Sequence, residues 1–284
     1  RKGYDTGWRQ WCVFRQCQGL SPFLLGGTPE ELKADEEQLL QYVAFLAKIM
    51  GRAEGTIRQK LFAVKFAHTV AGVPDPLLRR VRLWAALGGL LRWQGAPQRR
   101  HPIMPEQLEW LYSHLQATRS RGDAAALWAT INTAWHFLLR SSEYLGRPND
   151  AAAVEKALHG TDVRPRRAGA ACERFGDADE VVIYIKTSKT DQYNVGQVRN
   201  HYRTGDALCP VGAMERLQKW APERWTSEAD SPLFRHADGS PVTRDEVAGQ
   251  VKMAALAAGV LPEHLDTHSL RRGGATALYH CGVG

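Results

Sequence analysis

Apolar positions along the first 95 residues recur with a helical period. Tyr4, Trp8, Trp11, Cys12 and Arg15 set an aromatic stripe on one helix. Leu39, Leu40, Val43, Phe45, Leu46 and Ile49 mark a second over residues 36–50. Gly51 and Gly55 punctuate. Thr56 then reads as the N-cap of a helix over 57–71, with Ile57, Leu61, Val64 and Ala67 turned inward and Arg58, Lys60, Lys65 and His68 on its other sides. Gly72 and Pro74-Asp75-Pro76 end it, and a last helix is predicted from about Leu77 to Trp93. The stretch 94–105 holds three prolines and no apolar period, which predicts a linker; its core is set at 96–104.

Beyond it the pattern changes. Helices are predicted at about 105–117 and 123–141. Residues 179–186 are rich in strand-forming side chains, 192–198 could return antiparallel after a turn at Ser188-Lys189-Thr190-Asp191, and 161–166 could add a third strand. Helices over 210–220, 244–259 and 267–281 complete the chain. The expected fold is mainly α with a small antiparallel β-sheet, in two domains: an all-helical one over 1–95 and an α+β one over 105–284.

Composition narrows the class of function. The 284 residues carry a formal charge of +7 and are 44% hydrophobic, which suits a globular protein with an anionic partner. The distribution says more than the sum. From Pro76 to Pro105 there is no acidic residue, while Arg79, Arg80, Arg82, Arg92, Arg99 and Arg100 fall there. Such a block suggests a surface that follows a phosphate backbone; a solvated helix face is the plainer alternative. Cys12, Cys17, Cys172, Cys209 and Cys281 are odd in number and irregularly spaced, supporting neither a disulfide framework nor a zinc knuckle, and fitting a reducing, intracellular compartment. No apolar run approaches the ~18 residues of a membrane span. The first residue is Arg1 rather than Met, so a fragment of a longer product is expected.

The chemistry-bearing residues lie far apart in sequence. Thr267-His268-Ser269-Leu270-Arg271 opens a small-residue helix capped by Thr267 or Asp266, and Arg271 is placed in its first turn, where the helix dipole favours an anion. Arg140 follows the apolar stretch Ala134–Leu139, and Glu143, one turn on, could orient its guanidinium. Lys189 sits at the tip of the predicted hairpin, with Lys186 as the competing lysine. A phosphodiester attacked by a side-chain oxygen gathers negative charge in the transition state, which arginine meets with a permanently charged planar fork. Arg140 and Arg271 are the candidate clamp. His268, on the face of Arg271, could move a proton to or from an attacking or leaving oxygen, and Lys189 could protonate a leaving 5′-oxygen. No cofactor and no metal is expected.

Taken together, Arg140-x-x-Glu143, Ser188-Lys189-Thr190 and His268-x-x-Arg271, in that order, resemble the tyrosine recombinase (phage integrase) family. Cys209-Pro210-Val211, Pro232-Leu233-Phe234 and Gly239-Ser240-Pro241-Val242-Thr243 are similar to stretches of its catalytic domain, and the helical first domain with Thr56-Ile57-Arg58 resembles its core-binding (SAM-like) domain. The resemblance implies DNA breaking and rejoining through a 3′-phosphotyrosyl intermediate, without ATP or metal. Arg140 and Arg271 would hold the scissile phosphate, Lys189 would act as general acid, and His268 would assist proton transfer with Glu143 in support. Arg58, Lys60, Lys65, Arg79, Arg80, Arg82, Arg92, Arg99 and Arg100 would face double-stranded DNA. The family works as a tetramer on paired sites, so the same is possible for a full-length protein, located with DNA inside the cell. The family places its nucleophilic tyrosine about thirty residues after the second arginine, near position ~302 here. Residues 1–284 are therefore expected to bind DNA without cleaving it. Other readings are a non-catalytic DNA-binding descendant of such an enzyme, a type IB topoisomerase, which uses a similar residue set, and a generic basic helical protein with chance matches.

Overall fold

The computed structural model describes residues 2–95, 100–147, 149–188, 191, 193 and 195–282. The chain divides into two compact units, residues 1–98 and 99–284.

The first unit is all helical: α1 (Lys2–Gln16), α2 (Pro29–Ala44) running into a π-helical turn (Phe45–Ile49), α3 (Glu54–Val70) and α4 (Val81–Gln94). Thr28 caps α2 in a capping box with Glu31, with Pro29 in the first turn, which moves its start ahead of the residue 36 expected from apolar period alone. The core gathers Trp11, Leu39, Tyr42, Leu46, Ile57, Leu61, Val64, Leu83 and Leu87. Trp11 donates its indole N–H to the Pro22 carbonyl (2.7 Å), so the buried ring carries no orphan donor.

Three local expectations change here. The cap of α3 is not Thr56: the helix begins at Glu54, and Gln94, at the end of α4, accepts the Glu54 N–H at 2.8 Å. A partner distant in sequence thus supplies the cap, and Gly55 lies inside the helix. His68 is not on an outer face but is fully buried. Its Nδ1 sits 2.8 Å from the Val64 carbonyl and its Nε2 accepts the Leu24 N–H at 3.0 Å, which defines a neutral ring protonated on Nδ1. Burial holds its pKa below the usual value. Finally, α4 starts at Val81 rather than Leu77, because Arg79 takes a left-handed conformation (φ 57°) and Arg80 folds back onto the Pro76 carbonyl (2.9 Å).

The second unit is built around α6 (Arg121–His136), in which every residue from Ala124 to Trp135 is buried. A helix buried all round, with Thr130, Asn132 and Thr133 as its polar members, sits at the centre of the core. Around it lie α5 (Pro105–Thr118), α7 (Ser141–Tyr144), α8 (Ala151–Lys156), α9 (Pro210–Trp220), α10 (Arg244–Ala257) and α11 (Thr267–His280). The sheet comprises β1 (Val163–Arg167), β2 (Ala170–Ala171), β3 (Glu180–Ile185) and β4 (Gln197–Tyr202), antiparallel in the order β2-β1-β3-β4. Val181, Ile183 and Ile185 of β3 enter the core while Tyr184 stays outside, the alternation expected of a half-buried strand.

The return strand runs later than 192–198. Ile185 pairs with Gln197, and the Asp191 carboxylate takes the Val195 and Gly196 N–H groups (3.2 and 2.8 Å), so these amides are used in the loop before the ladder starts. The second helix ends at 136, not 141. Leu138 adopts φ 54°, and the Leu139 N–H returns to the Ala134 carbonyl at 3.0 Å, closing the helix through a left-handed residue.

Candidate active site

Arg140 lies just past that left-handed turn, in extended conformation, and heads α7. Glu143 binds it twice: one carboxylate oxygen accepts the Arg140 backbone N–H and the other its Nη1, both at 2.8 Å. Glu143 is buried, while the Arg140 side chain keeps 30% exposure. The carboxylate therefore fixes one edge of the fork and leaves the rest facing outward.

Arg271, on α11, lies within electrostatic reach of Arg140. Asp266 caps this helix, its carboxylate accepting the His268 N–H at 2.7 Å, and Ser269 returns the bond to the Asp266 N–H at 3.1 Å. Arg100 ion-pairs with Asp266 at 3.2 Å and donates to the Glu263 carbonyl. The rings of His101 and His264 stack with centroids 4.9 Å apart, and the Ile103 N–H reaches the Ser269 carbonyl at 3.2 Å. Residues 100–103 thus clamp the start of α11 and belong to this unit rather than to a free linker. Deeper in, Gly273 and Gly274 let α11 touch neighbouring backbone: a Cβ would fall 2.0 Å from the Ile103 carbonyl oxygen at the first and 2.0 Å from the Trp135 carbonyl oxygen at the second.

The Arg271 guanidinium consequently sits in a partly desolvated, positive environment. Its pKa is held below the usual value, first by burial and then by the charge of Arg140; Glu143 opposes this and Arg199 adds to it. Among the described residues Arg271 has no carboxylate within ion-pair distance. Around it stand Arg140 and Arg199 against the single carboxylate Glu143, an excess of positive charge suited to an anion. His268 is exposed three residues before Arg271, on the same helix face. Arg271 itself opens the second turn of α11, not the first, because Asp266 is the cap; the amide dipoles there are already met by the Asp266 carboxylate.

The other expected residues divide. Lys189 and Arg99 lie outside the described residues. Lys186 is a structural lysine, ion-paired with Asp162 at 2.9 Å and donating to the Glu155 and Ala157 carbonyls, both at 3.1 Å. Arg80 is not a surface residue: it is 6% exposed, donates to Pro76 and Leu32 carbonyls, and is spent inside the first unit. Arg100 is spent on the α11 clamp. Arg58 is bound by Glu54 (2.9 Å) and lies over the Trp84 ring; Lys65 pairs with Asp75 (2.7 Å) and Arg82 with Glu37 (3.0 Å). Lys60 is half-buried, and Arg79 and Arg92 are exposed. The basic run 79–100 is therefore not one continuous charged surface. Arg199 was not anticipated; an arginine in a polar strand carries no sequence signal that sets it apart. Among the described residues no group of three His, Cys, Asp or Glu side chains is arranged to hold a metal ion, and no helix is long and apolar enough to cross a membrane.

No protein-family model matches the chain, and no curated protein matches it. Solved structures do. The Tn1549 transposon integrase in complex with circular intermediate DNA is 17% identical, with a TM-score of 0.54, over 97% of this chain and 80% of that one. The XerH site-specific recombinase in its post-cleavage complex with palindromic difH substrate is 16% identical, with a TM-score of 0.53, over 88% of this chain and 62% of that one. The fold is that of the tyrosine recombinases and integrases.

Proposed function

We propose that this chain is a DNA-binding recombinase or integrase of the tyrosine recombinase family, which breaks and rejoins DNA through a 3′-phosphotyrosyl intermediate. The approach of Arg271 to Arg140, with Glu143 committed to Arg140 and positive charge left over, carries the reading. On this fold the surplus suits a DNA phosphodiester.

In the reaction a tyrosine oxygen bonds to phosphorus and the bond from phosphorus to the 5′-oxygen breaks. Lys189 gives its proton to the departing 5′-oxygen, and His268 takes the proton of the attacking hydroxyl. Arg140 and Arg271 meet the charge that grows on the non-bridging oxygens, with Glu143 keeping Arg140 in register. A 5′-hydroxyl from a partner strand reverses the step, so the bond energy is conserved. Neither Tyr144 nor Tyr279 suits the attack. Tyr144 is buried in the core, and Tyr279 lies two turns past Arg271 and is 74% exposed. The attacking tyrosine is not assigned to either of these two residues. Arg58, Lys60, Lys65, Arg79, Arg82 and Arg92 of the first unit remain as backbone contacts, and assembly as a tetramer on paired sites belongs to the same reading.

The test is duplex affinity as a function of salt. Arg140→Gln and Arg271→Gln should each weaken binding and each lower the slope of log K against log salt by about 0.9. Unchanged affinity and slope in both variants would remove the phosphate-gripping role.

A further inference from the structure

We propose that Arg199 is a third phosphate-binding residue of this site, contacting a backbone phosphate beside the one held by Arg140 and Arg271. The inference rests on the reading of the site as a DNA-phosphate clamp.

Arg199 lies on β4, partly buried. Its guanidinium makes two contacts: Nη1 donates to the Phe137 carbonyl, at the end of α6, and Nη2 donates to the Gln197 side-chain oxygen at 2.9 Å. Both partners are neutral, and among the described residues no carboxylate lies within ion-pair distance of it. Its full charge is thus uncompensated, whereas Arg140 spends part of its charge on Glu143. A guanidinium has five N–H donors, so two contacts leave donors to spare.

The anchor point lies close to Arg140 along the chain. Phe137 is three residues before Arg140, across the left-handed Leu138. The same carbonyl end of α6 is met by His201, whose Nε2 lies 2.9 Å from the His136 carbonyl oxygen. Two alternate residues of β4 therefore grip the last carbonyls of α6, and Arg199 is the one that stays cationic. It is close enough for its charge to depress the Arg271 pKa alongside that of Arg140. Placing a third guanidinium, without a carboxylate of its own, beside two others is unfavourable in the empty site. It becomes favourable when more than one anionic group is bound there, as on a polynucleotide backbone, where successive phosphates follow the strand.

The experiment measures binding of the whole chain to a duplex of about 30 base pairs over the 50–200 mM salt range. Arg199→Gln should lower the salt slope by about 0.9, so that the wild-type advantage shrinks about 3.5-fold across that range. Arg199→Lys should keep the wild-type slope, since the charge remains. A wild-type slope in Arg199→Gln, with a lowered slope in Arg271→Gln, would overturn the third contact while leaving the clamp. An equal loss in Arg199→Gln and Arg199→Lys would overturn it too, by showing that Arg199 acts through the Phe137 turn that positions Arg140. Wild-type slopes in Arg140→Gln, Arg271→Gln and Arg199→Gln together would overturn the clamp itself.

Discussion

Arginines of the two units face opposite circumstances. In the first unit Arg58, Arg80 and Arg82 are held by carboxylates or carbonyls, and the most basic-looking stretch of the sequence is partly consumed in holding helices together. In the second unit Arg271 and Arg199 have no carboxylate partner among the described residues, and the one acid beside them is committed to Arg140. The net balance of charged residues points to the first region. What distinguishes a candidate anion site is positive charge left over after the protein has satisfied its own groups, and that points to the second.

The largest expected effect concerns how the second region is built. Gly274→Val would drive a side chain into the Trp135 carbonyl, and about 3 kcal/mol of unfolding free energy should be lost in a denaturant titration, with duplex affinity falling at least to that of Arg271→Gln. A stable variant with normal affinity would mean that close packing of α11 on α6 does not set Arg271.

Acid should come next. Burial pushes the His136 pKa down from 6.5 to about 4, so the folded chain keeps this ring neutral while the unfolded chain takes up a proton near its ordinary value. The unfolded state then binds more protons below about pH 6.5. Stability is fully present above that pH and lost as the pH falls towards 4, by about 3 kcal/mol. His136→Gln should flatten the fall in that window; an unaltered pH profile would show that the ring is not the cause. His68 carries the same sign in the first unit.

Arg80→Ala should cost about 2 kcal/mol, because it leaves buried carbonyls without their donor, whereas Arg271→Gln should change stability by less than about 0.5 kcal/mol and act on DNA affinity instead. Equal stability losses in the two would erase the contrast between the regions. The smallest effect is expected from Arg82→Ala, below about 0.5 kcal/mol, since its ion pair with Glu37 is half exposed. A larger loss would mean that this surface pair is structural.

Much of the architecture was legible in the chain. Helices at Pro210–Trp220 and Thr267–His280 follow from apolar period and capping residues, both of which are local. The run of β-branched and aromatic residues over 179–186 marked β3, and that signal is local too. Several boundaries were misplaced because the group that sets them is not read from apolar period. The cap of α3 comes from Gln94, the end of α6 is held by β4, and the start of β4 is delayed by Asp191 and by Gly196, where a Cβ would meet Tyr184. The first two boundaries are set by partners outside the local window, and the third by a carboxylate within the same loop. His68 reads as an outer residue by charge, yet both of its nitrogens find backbone partners in the core.

The sequence by itself determined the residue types and their order: Arg140 with Glu143 one turn on, and His268 with Arg271 on one helix face. Those relations depend only on helical spacing, which a chain carries locally. Tertiary structure alone decided which cations remain available. It withdrew Arg80, Arg100 and Lys186 into structural bonds and added Arg199 beside Arg271, because the free energy of a charge depends on the partners and solvent around it, and folding assigns those across the whole unit.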